Sequence, residues 1–387
     1  MSKLNHIERL IRELCPSGIE SKMLGELVDD GVITLGRGNV ISKIAIAATP
    51  GDYPVYSSSG QGNGEMGRYG LYMFTDKRIT WSIDGGGRFF FREDPYYSVT
   101  NVCGWLKVNN DNILNIKYVY YVLYEQWTHL IFDYTLKAHP SVIRDIYNIP
   151  IPPIQIQNEL VRIFDTFTNL CDNIDTELIA VQHELEICRY KLLHNLQCDC
   201  EPLSNLFFMR GGYTPSTNNP DFWTEEGGYP WYTMDDIRKN GRKLTDSIRH
   251  ITAKAIKSKG LFPTGTIVFA TSATIGEHAM LMCPALTNQR FTALIPKSDN
   301  VYMPFYYHYG FIIDEWCLQH IKRGGFCSVD MDGFAKLPIP VPPIAEQRAI
   351  AEKLDTIEAF INNLKTERDL RQQQYEYYRE HLINLLK

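Results

Sequence analysis

Two long stretches of the chain, residues 154–197 and 344–387, place apolar side chains at steps of three or four and contain neither proline nor glycine. This period predicts amphipathic helices, and its persistence over many turns is typical of a coiled-coil seam. Each helix would extend about 60 Å, longer than one core needs. The first seam consists of Leu160, Ile163, Phe167, Leu170, Ile174, Leu178, Val181 and Leu185. The second consists of Ile350, Leu354, Ile357, Ile361, Leu364, Tyr375, Tyr378 and Leu382.

The regions before each helix have a different pattern. Glycine-rich turns at residues 57–64 and 84–88 separate short runs rich in aromatic and β-branched residues, which favour strands. Similar runs, GTIVFATSATIG and QRFTALIP, occur later in the chain. We therefore predict a mixed α/β fold (α+β) of two modules separated by a long antiparallel two-helix coiled coil. The alternative is that each helix packs on a separate core.

An internal repeat supports two modules. The motif NIPIPPI at residues 148–154 returns as LPIPVPPI at residues 337–344. In and after this motif, six identical residues match at a constant offset of 190, and Gln157 with Gln347 is one of these matches. At an offset of 187, Thr100-Asn101 matches Thr287-Asn288 and Ser141-Val142 matches Ser328-Val329. The repeat predicts five segments: an N-terminal helix (1–19), a first module (20–148), a central long helix (149–197), a second module (198–337) and a C-terminal long helix (338–387).

Composition and charge narrow the functional class. The net charge is −6, and the excess acid lies mainly in residues 155–197, so the modules can still hold basic patches. The sequence has no apolar run long enough for a membrane span, and nine scattered cysteines fit a reducing compartment. We expect a cytoplasmic protein without membrane contact. Cys198 and Cys200 near His194 form the only grouping of metal-ligand type, and ordinary thiols are the favoured interpretation, so no metal site is predicted.

Motifs for catalysis are missing from the sequence. It contains neither a GxxxxGK[ST] phosphate loop nor an HExxH metal motif. The segment DPYY at residues 94–97 lacks the second proline of the DPPY motif of adenine methyltransferases, and a turn before a strand explains it better. Glycines 85–87 suit a tight turn. We therefore expect a chain that carries out no catalysis.

Basic and polar side chains near glycine turns are the candidates for nucleic-acid contact, because Lys and Arg bind phosphates whereas Arg, Asn and Gln can read base edges. Residues 238–259 hold eight basic side chains against one acidic one. Asn288 and Gln289 precede an arginine and could read adenine. A solvated face, a turn or a core position is the alternative for each. The candidates are Arg37, Arg68, Lys77, Arg78, Arg88, Arg92, Lys137, His139, Arg210, Tyr213, Thr214, Arg238, Lys239, Arg242, Lys243, Arg249, Arg290 and Arg323.

The whole chain resembles the DNA specificity subunits of type I restriction-modification systems. The resemblance rests on the opening LNHIERLIRELCPSGIESKMLGEL, on the duplicated IPIPP-type motif followed by Gln157 or Gln347 and a long helix, and on FPTGTIVFATSATIG with TNQRFTALIP. The second copy, PPIAEQ, matches the usual PP-x-x-EQ form, whereas the first copy, PPIQIQNE, departs from it. The start of the first long helix is thus the less firmly predicted of the two.

The resemblance implies two target-recognition domains related by a pseudo-twofold axis, each reading one half of an asymmetric bipartite sequence in double-stranded DNA. The paired helices would fix the spacer and bind two modification subunits, which methylate adenine with S-adenosylmethionine. Restriction subunits would add translocation and cleavage with ATP and Mg²⁺, and this chain itself would bind no cofactor. The alternatives are a structural adaptor that presents two protein-binding modules without binding DNA, and a specificity protein detached from a functional restriction system.

Overall fold

The computed structural model describes residues 2–132, 136–322 and 327–387. The chain divides into two compact units. The first unit comprises Met1–Thr176 with Thr366–Lys387, and the second comprises Glu177–Lys365. Each long helix therefore contributes one part to each unit, whereas the sequence segmentation treats each helix as a segment of its own.

Within its described residues, the first unit contains five short helices and nine strands before the first long helix. In chain order they are α1 (Ser2–Leu14), β1 (Ser21–Met23), α2 (Leu24–Asp29), β2 (Ile33–Arg37), α3 (Lys43–Ala48), β3 (Tyr53–Tyr56), β4 (Glu65–Tyr69), β5 (Arg78–Ser82), β6 (Phe89–Arg92), β7 (Ser98–Val99), β8 (Cys103–Val108), α4 (Ile116–Trp127), α5 (Pro140–Ile143), β9 (Asn148–Pro150) and α6 (Ile154–Leu193). Strands β2-β8-β5-β6 form an antiparallel sheet, and β4-β3-β7 form a smaller one. Trp81, Phe89 and Tyr118 lie in the core beneath the larger sheet, with Ile7 of α1.

The second unit has the same type of sheet. Its elements are β10 (Cys200–Pro202), α7 (Leu203–Leu206), β11 (Phe207–Gly211), β12 (Trp223–Thr224), β13 (Tyr229–Tyr232), α8 (Met234–Asn240), β14 (Lys243–Leu244), β15 (His250–Ile251), β16 (Ile267–Ala270), β17 (His278–Leu281), β18 (Leu286–Thr287), β19 (Phe291–Pro296), α9 (Met303–Gln319), β20 (Ile321–Lys322), β21 (Ser328–Val329), α10 (Met331–Lys336), β22 (Pro338–Pro340) and α11 (Ile344–Asn384), with 3-10 turns at Pro220–Phe222 and Ala253–Ala255. The main sheet has the order β11-β19-β16-β17-β14. A second sheet has the order β12-β15-β13-β18.

The two units repeat the same strand pairing. Strands β2, β8, β5 and β6 correspond in order and antiparallel register to β11, β19, β16 and β17. The duplicated proline motif forms an equivalent short strand in each: β9 pairs with β1, and β22 pairs with β10. The duplication seen in the sequence is thus a duplication of structure.

A buried glutamine explains why the motif after each short strand is repeated. Nε2 of Gln157 donates to the carbonyls of Pro152 and Ile113, both at 2.8 Å, and its Oε1 accepts from the Asn115 amide at 2.9 Å. Gln347 makes the matching bonds with Pro342, Asn300 and Tyr302, at 2.8–2.9 Å. Because an unpaired buried amide is costly, this side chain fixes the loop before α4 or α9 to the start of the long helix in both units. Helix α6 begins at Ile154 as α11 begins at Ile344.

The long helices pack together in antiparallel fashion, as the apolar period predicts. In the first unit Phe164 contacts Tyr375, and further along α6 Asp175 pairs with Arg368 at 3.2 Å, so residue numbers rise on α6 as they fall on α11. In the second unit Arg189 lies 3.6 Å from Glu358. Each unit's core includes side chains from both helices, which excludes packing on separate cores.

All the predicted seam residues are buried or half-buried. Those that share a core across the two helices in the first unit are Leu160, Ile163, Phe167, Tyr375, Tyr378 and Leu382. Those in the second unit are Leu178, Val181, Leu185, Ile350, Leu354, Ile357 and Ile361. Ile174 and Leu364 are also buried, and Leu170 is half-buried. Among the described helices, none is both long and apolar enough to cross a membrane.

Candidate nucleic-acid interface

Strand register in the second unit brings three loops to one end of the main sheet. Gly211, at the end of β11, pairs with Thr292, and Ala270, at the end of β16, pairs with Phe291 at the start of β19. The loop after β11, the loop at residues 271–277 and the loop at residues 288–290 therefore meet at this end. Loops held on a sheet in this way are common places for recognition residues.

These loops, with the start of α8, line an open cavity of about 320 Å³. The cavity is lined in part by Thr214, Arg238 and Arg290, three predicted DNA-contacting residues that are far apart in the sequence. Trp231 closes one side and is itself fixed, because its Nε1 donates to the carbonyl of Tyr213 at 2.9 Å. We call this space the sheet-end cavity.

Glycine is required where β11 meets the neighbouring loop. A Cβ atom added at Gly212 would clash with both the carbonyl oxygen and the hydroxyl of Thr287. This close approach allows the Tyr213 amide to donate to the Thr287 carbonyl at 2.9 Å. In the first unit a Cβ at Gly38 would likewise clash with the Val99 carbonyl.

The equivalence of these glycines corrects the sequence alignment of the repeat. Val99 pairs with Tyr56 as Thr287 pairs with Tyr232, so the offset here is 188, and the match of Thr100-Asn101 with Thr287-Asn288 is wrong by one residue. Ser141 lies in α5 whereas Ser328 lies in β21, so that match is wrong too. Identical dipeptides need not occupy equivalent positions when the loops before them differ in length. The strand-pairing partners of each residue show which positions are equivalent.

The equivalent end of the first unit also carries predicted residues. Arg37 ends β2 opposite Gly104, and Ser82 ends β5 opposite Cys103. The Arg37 guanidinium donates to the Asn101 carbonyl at 2.6 and 2.9 Å, Arg88 donates to the Gly60 carbonyl at 3.0 Å, and Lys137 pairs with Asp84 at 2.9 Å. Arg37 and Lys137 remain exposed. The fold thus gathers basic side chains at corresponding sheet ends of both units.

Several predicted basic residues face the protein interior instead. Arg92 is only 4% exposed, bonds Thr80 at 2.8 Å and stacks on the Tyr56 ring, and burial holds its pKa below the usual arginine value. Arg78 bonds Asp76 at 2.8 Å and lies over the Phe74 ring. Both side chains stabilise the first unit where they are, and we leave them out of the DNA contacts proposed below.

The basic segment 238–259 divides in the same way. Arg238, Lys239 and Arg249 are exposed, and Arg249 stacks on Trp223 at 3.8 Å. Arg242, in contrast, bonds Asp314 at 2.8 Å, and Lys243 bonds both Asp355 at 2.9 Å and Glu358 at 2.7 Å on α11. A charge count cannot separate these two groups, because the distinction depends on how far the fold buries each side chain.

The remaining candidates have individual environments. Arg68 and Lys77 are exposed and pair with Glu65 and Glu93, both at 3.1 Å. Arg210 lies over the Phe262 ring and donates to the Lys259 and Gly260 carbonyls, and its burial lowers its pKa.

The hydroxyl of Tyr213 donates to the Ala255 carbonyl and accepts from the Lys257 amide. His139 is half-buried and precedes α5. Arg323 lies outside the described residues.

One cluster of side chains of the types that bind metals was not predicted from the sequence. His308, Asp355 and Glu358 in the second unit bring potential metal ligands within 4.8 Å of one another. The Lys243 ammonium already bonds both carboxylates, and His308 donates to Asp355 at 3.0 Å. Arg189 lies 3.6 Å from Glu358 and supplies a second positive charge, so the cluster is a neutralised ion-pair network. Burial alone would raise the pKa of Asp355, but the bonds from His308 and Lys243 outweigh it and hold that pKa below the usual range. The only sequence signal was that Asp355 repeats Asp165.

These features define a duplicated α/β protein whose two units carry recognition-type loops at one sheet end. The family model described as type I restriction modification DNA specificity domain matches twice, over residues 16–183 and 201–371. The chain belongs to this family.

Relatives agree with this assignment, and a solved structure has a similar fold. The chain is similar to the Escherichia coli type I restriction enzyme EcoprrI specificity subunit, 41% identical over half of each chain (50% and 52%). It is 33% identical to the Escherichia coli EcoR124I/EcoR124II specificity subunit over 72% of this chain and 73% of that one. In structure it is similar to the S subunit of the type I restriction-modification system of M. genitalium, with a TM-score of 0.62, 15% identity, and coverage of 94% and 96%.

Proposed function

We propose that this chain is the DNA sequence-specificity subunit of a type I restriction-modification enzyme. Each unit reads one half of an asymmetric bipartite sequence in double-stranded DNA. The observation that carries this proposal is the presence, in a chain of this family, of exposed basic side chains at corresponding sheet ends of both units. They include Arg37 and Lys137 in the first unit and Arg238 and Arg290 in the second.

The chemistry belongs to partner subunits in this proposal. Two modification subunits bind the paired helices and methylate adenine with S-adenosylmethionine, while restriction subunits use ATP and Mg²⁺. Exposed apolar side chains on α6 and α11 support a protein-binding role for the helices: Ile179 is 70% exposed, Tyr190 is 63% exposed and Tyr377 is 61% exposed. Tyrosine is enriched at protein interfaces, so Tyr190 and Tyr377 are suitable contact residues for a partner. The helix pair itself sets the length of the unread spacer.

Co-expression with modification subunits tests the proposal. We expect a complex of two modification subunits and one copy of this chain that methylates adenine at a bipartite sequence, as read by sequencing of methylated DNA. Replacing residues 20–148 by the segment of another family member should change one half of that sequence and leave the other half unchanged.

The structural adaptor makes a different prediction. It would assemble with its partners, yet the complex would show no sequence preference and no binding that weakens with salt. That result would overturn the proposed function. A protein detached from a working restriction system would still bind its bipartite sequence on its own.

A further inference from the structure

We propose that Thr214, Gln289 and Arg290 form the base-reading site of the second unit and recognise purine edges in the major groove. This inference rests on the proposed function and deepens it, because it assigns the sequence preference of one half-site to three side chains. All three line the sheet-end cavity. All three are exposed.

The main chain around these residues is held by hydrogen bonds. The amide of Asn288 donates to the Tyr232 carbonyl at 3.1 Å, and Oδ1 of Asn288 accepts from the Arg290 amide at 2.9 Å. The Arg290 carbonyl in turn accepts from the Thr271 amide at 3.0 Å. The loop backbone therefore presents both side chains from a defined point, as selective recognition requires.

Gln289 is oriented for a base edge. The Thr214 hydroxyl donates to Oε1 of Gln289 at 2.7 Å, which orients the Gln289 amide. Within the described part of the chain, Nε2 of Gln289 has no hydrogen-bond acceptor, and Oε1 keeps a second lone pair. A donor beside an acceptor is the arrangement that pairs with N7 and N6 of adenine.

Arg290 supplies the second reading group. Its backbone is fully bonded, whereas its guanidinium makes no hydrogen bond or ion pair to any described residue. A guanidinium presented in this way pairs with N7 and O6 of guanine. Arg238, at the rim of the same cavity, is paired with Asp235 at 3.3 Å and is better placed to contact phosphate.

The first unit has the same backbone but different chemistry. With Gly38 equivalent to Gly212 and Val99 equivalent to Thr287, the positions of Thr214, Gln289 and Arg290 are occupied by Val40, Asn101 and Val102. Val40 is 82% exposed. Two scaffolds with unlike side chains at these positions would read unlike half-sites, in agreement with an asymmetric target.

Selection from a randomised duplex DNA library, with the full chain in complex with its modification subunits, tests this assignment. We expect Gln289→Leu and Arg290→Gln each to reduce the preference for one purine, in one half of the bipartite sequence, by about 5- to 150-fold. The other half should be unchanged. Thr214→Val should weaken the preference at the Gln289 position only. Lys336→Gln is the matched control, because Lys336 is exposed in the same unit and its neighbour Leu337 bonds Leu203 before β11, at the opposite end of the sheet.

Three results would count against the inference. If the wild-type complex selects a bipartite sequence and both variants select the same one, the site is wrong while the proposed function stands. If a variant weakens binding equally to all sequences, its side chain contacts phosphate and reads no base. If the wild-type complex selects no sequence at all, the proposed function fails, and this inference fails with it.

Discussion

Glu125 and Arg379 form an ion pair of 2.6 Å inside the first unit, although 254 positions separate them in the sequence. Each side chain is only 6% exposed. Glu125 lies on α4 and Arg379 lies on α11, where its guanidinium also packs over the Tyr375 ring. The pair ties the C-terminal part of the second long helix to the core of the first unit.

Removing one partner should therefore destabilise the protein strongly. Arg379→Met leaves Glu125 charged and buried, which should lower the free energy of unfolding by about 3–5 kcal/mol in urea denaturation. Arg371→Met is the control, because Arg371 is 40% exposed and pairs with Glu367 one turn away, an arrangement that contributes about 0.5 kcal/mol or less. The double variant Glu125→Leu with Arg379→Met should recover most of the loss. Additive losses in the double variant would contradict this account.

Substitution of either buried glutamine, Gln157 or Gln347, should destabilise the protein to a similar degree. Gln157→Leu and Gln347→Leu each leave two carbonyl groups and one amide without their partner, so we expect each to cost about 2–3 kcal/mol of unfolding free energy. Gln155→Leu is the matched control, since Gln155 is exposed on the first turn of α6. A loss no greater than that of the control would show that water replaces these bonds.

Neighbouring glycines give a sharp steric test at the sheet end. Gly212→Ala should lower stability by about 1–3 kcal/mol and disturb the sheet-end cavity, because the new Cβ meets backbone that cannot move freely. Gly211→Ala should leave the stability almost unchanged, because its Cβ would meet only the Phe291 carbonyl oxygen, at 3.8 Å. Thermal unfolding of the two variants distinguishes them, and equal effects would contradict the close approach.

The sequence predicts the repeat and the long helices well, because both depend on local patterns. The seam from Leu160 to Leu185 follows the helical period, and the proline motif marks where each helix begins. Site residues are harder to predict. Arg92 and Arg37 look alike in sequence, yet one stacks on Tyr56 and the other is exposed. Which side of a sheet a strand presents, and which loops meet, depend on long-range pairing that charge and spacing do not contain.

The same contrast predicts how salt affects DNA binding. Arg238→Gln and Lys239→Gln remove exposed charges, so each should weaken binding to all sequences and reduce the slope of log K against log salt by about 1 for each phosphate that is no longer neutralised. Lys243→Met should leave that slope unchanged and lower stability instead, since Lys243 bonds Asp355 and Glu358. Titrations of a target duplex at several salt concentrations measure both effects. A reduced slope for Lys243→Met would place its charge at the DNA.

The network around His308 should make the second unit sensitive to acid. Burial lowers the pKa of His308 below its ordinary value of about 6.5, although the bond to Asp355 opposes this shift. Its Nδ1 is buried without a partner among the described residues, so a proton added there would find no acceptor. The other groups around it are Glu358, Lys243, Arg189 and Tyr307.

The sign of the effect follows from which state binds the proton. As the pH falls below about 6.5, the unfolded chain protonates this imidazole before the folded chain does, so stability falls with pH over that range, by at most about 1.4 kcal/mol per pH unit for one group. Asp355 and Glu358, whose pKa values are held low, add a further loss at lower pH, as the pH falls through those values.

Replacing the imidazole isolates its share of this loss. His308→Gln should flatten the decline of the urea midpoint between pH 7 and 5 relative to wild type, because the amide can still donate to Asp355 but takes up no proton. His183→Gln, at an exposed position on α6, should leave the decline as it is in wild type. A decline of equal steepness in His308→Gln and wild type would mean that the imidazole takes up its proton over the same pH range in the folded and the unfolded chain, which would contradict the lowered pKa.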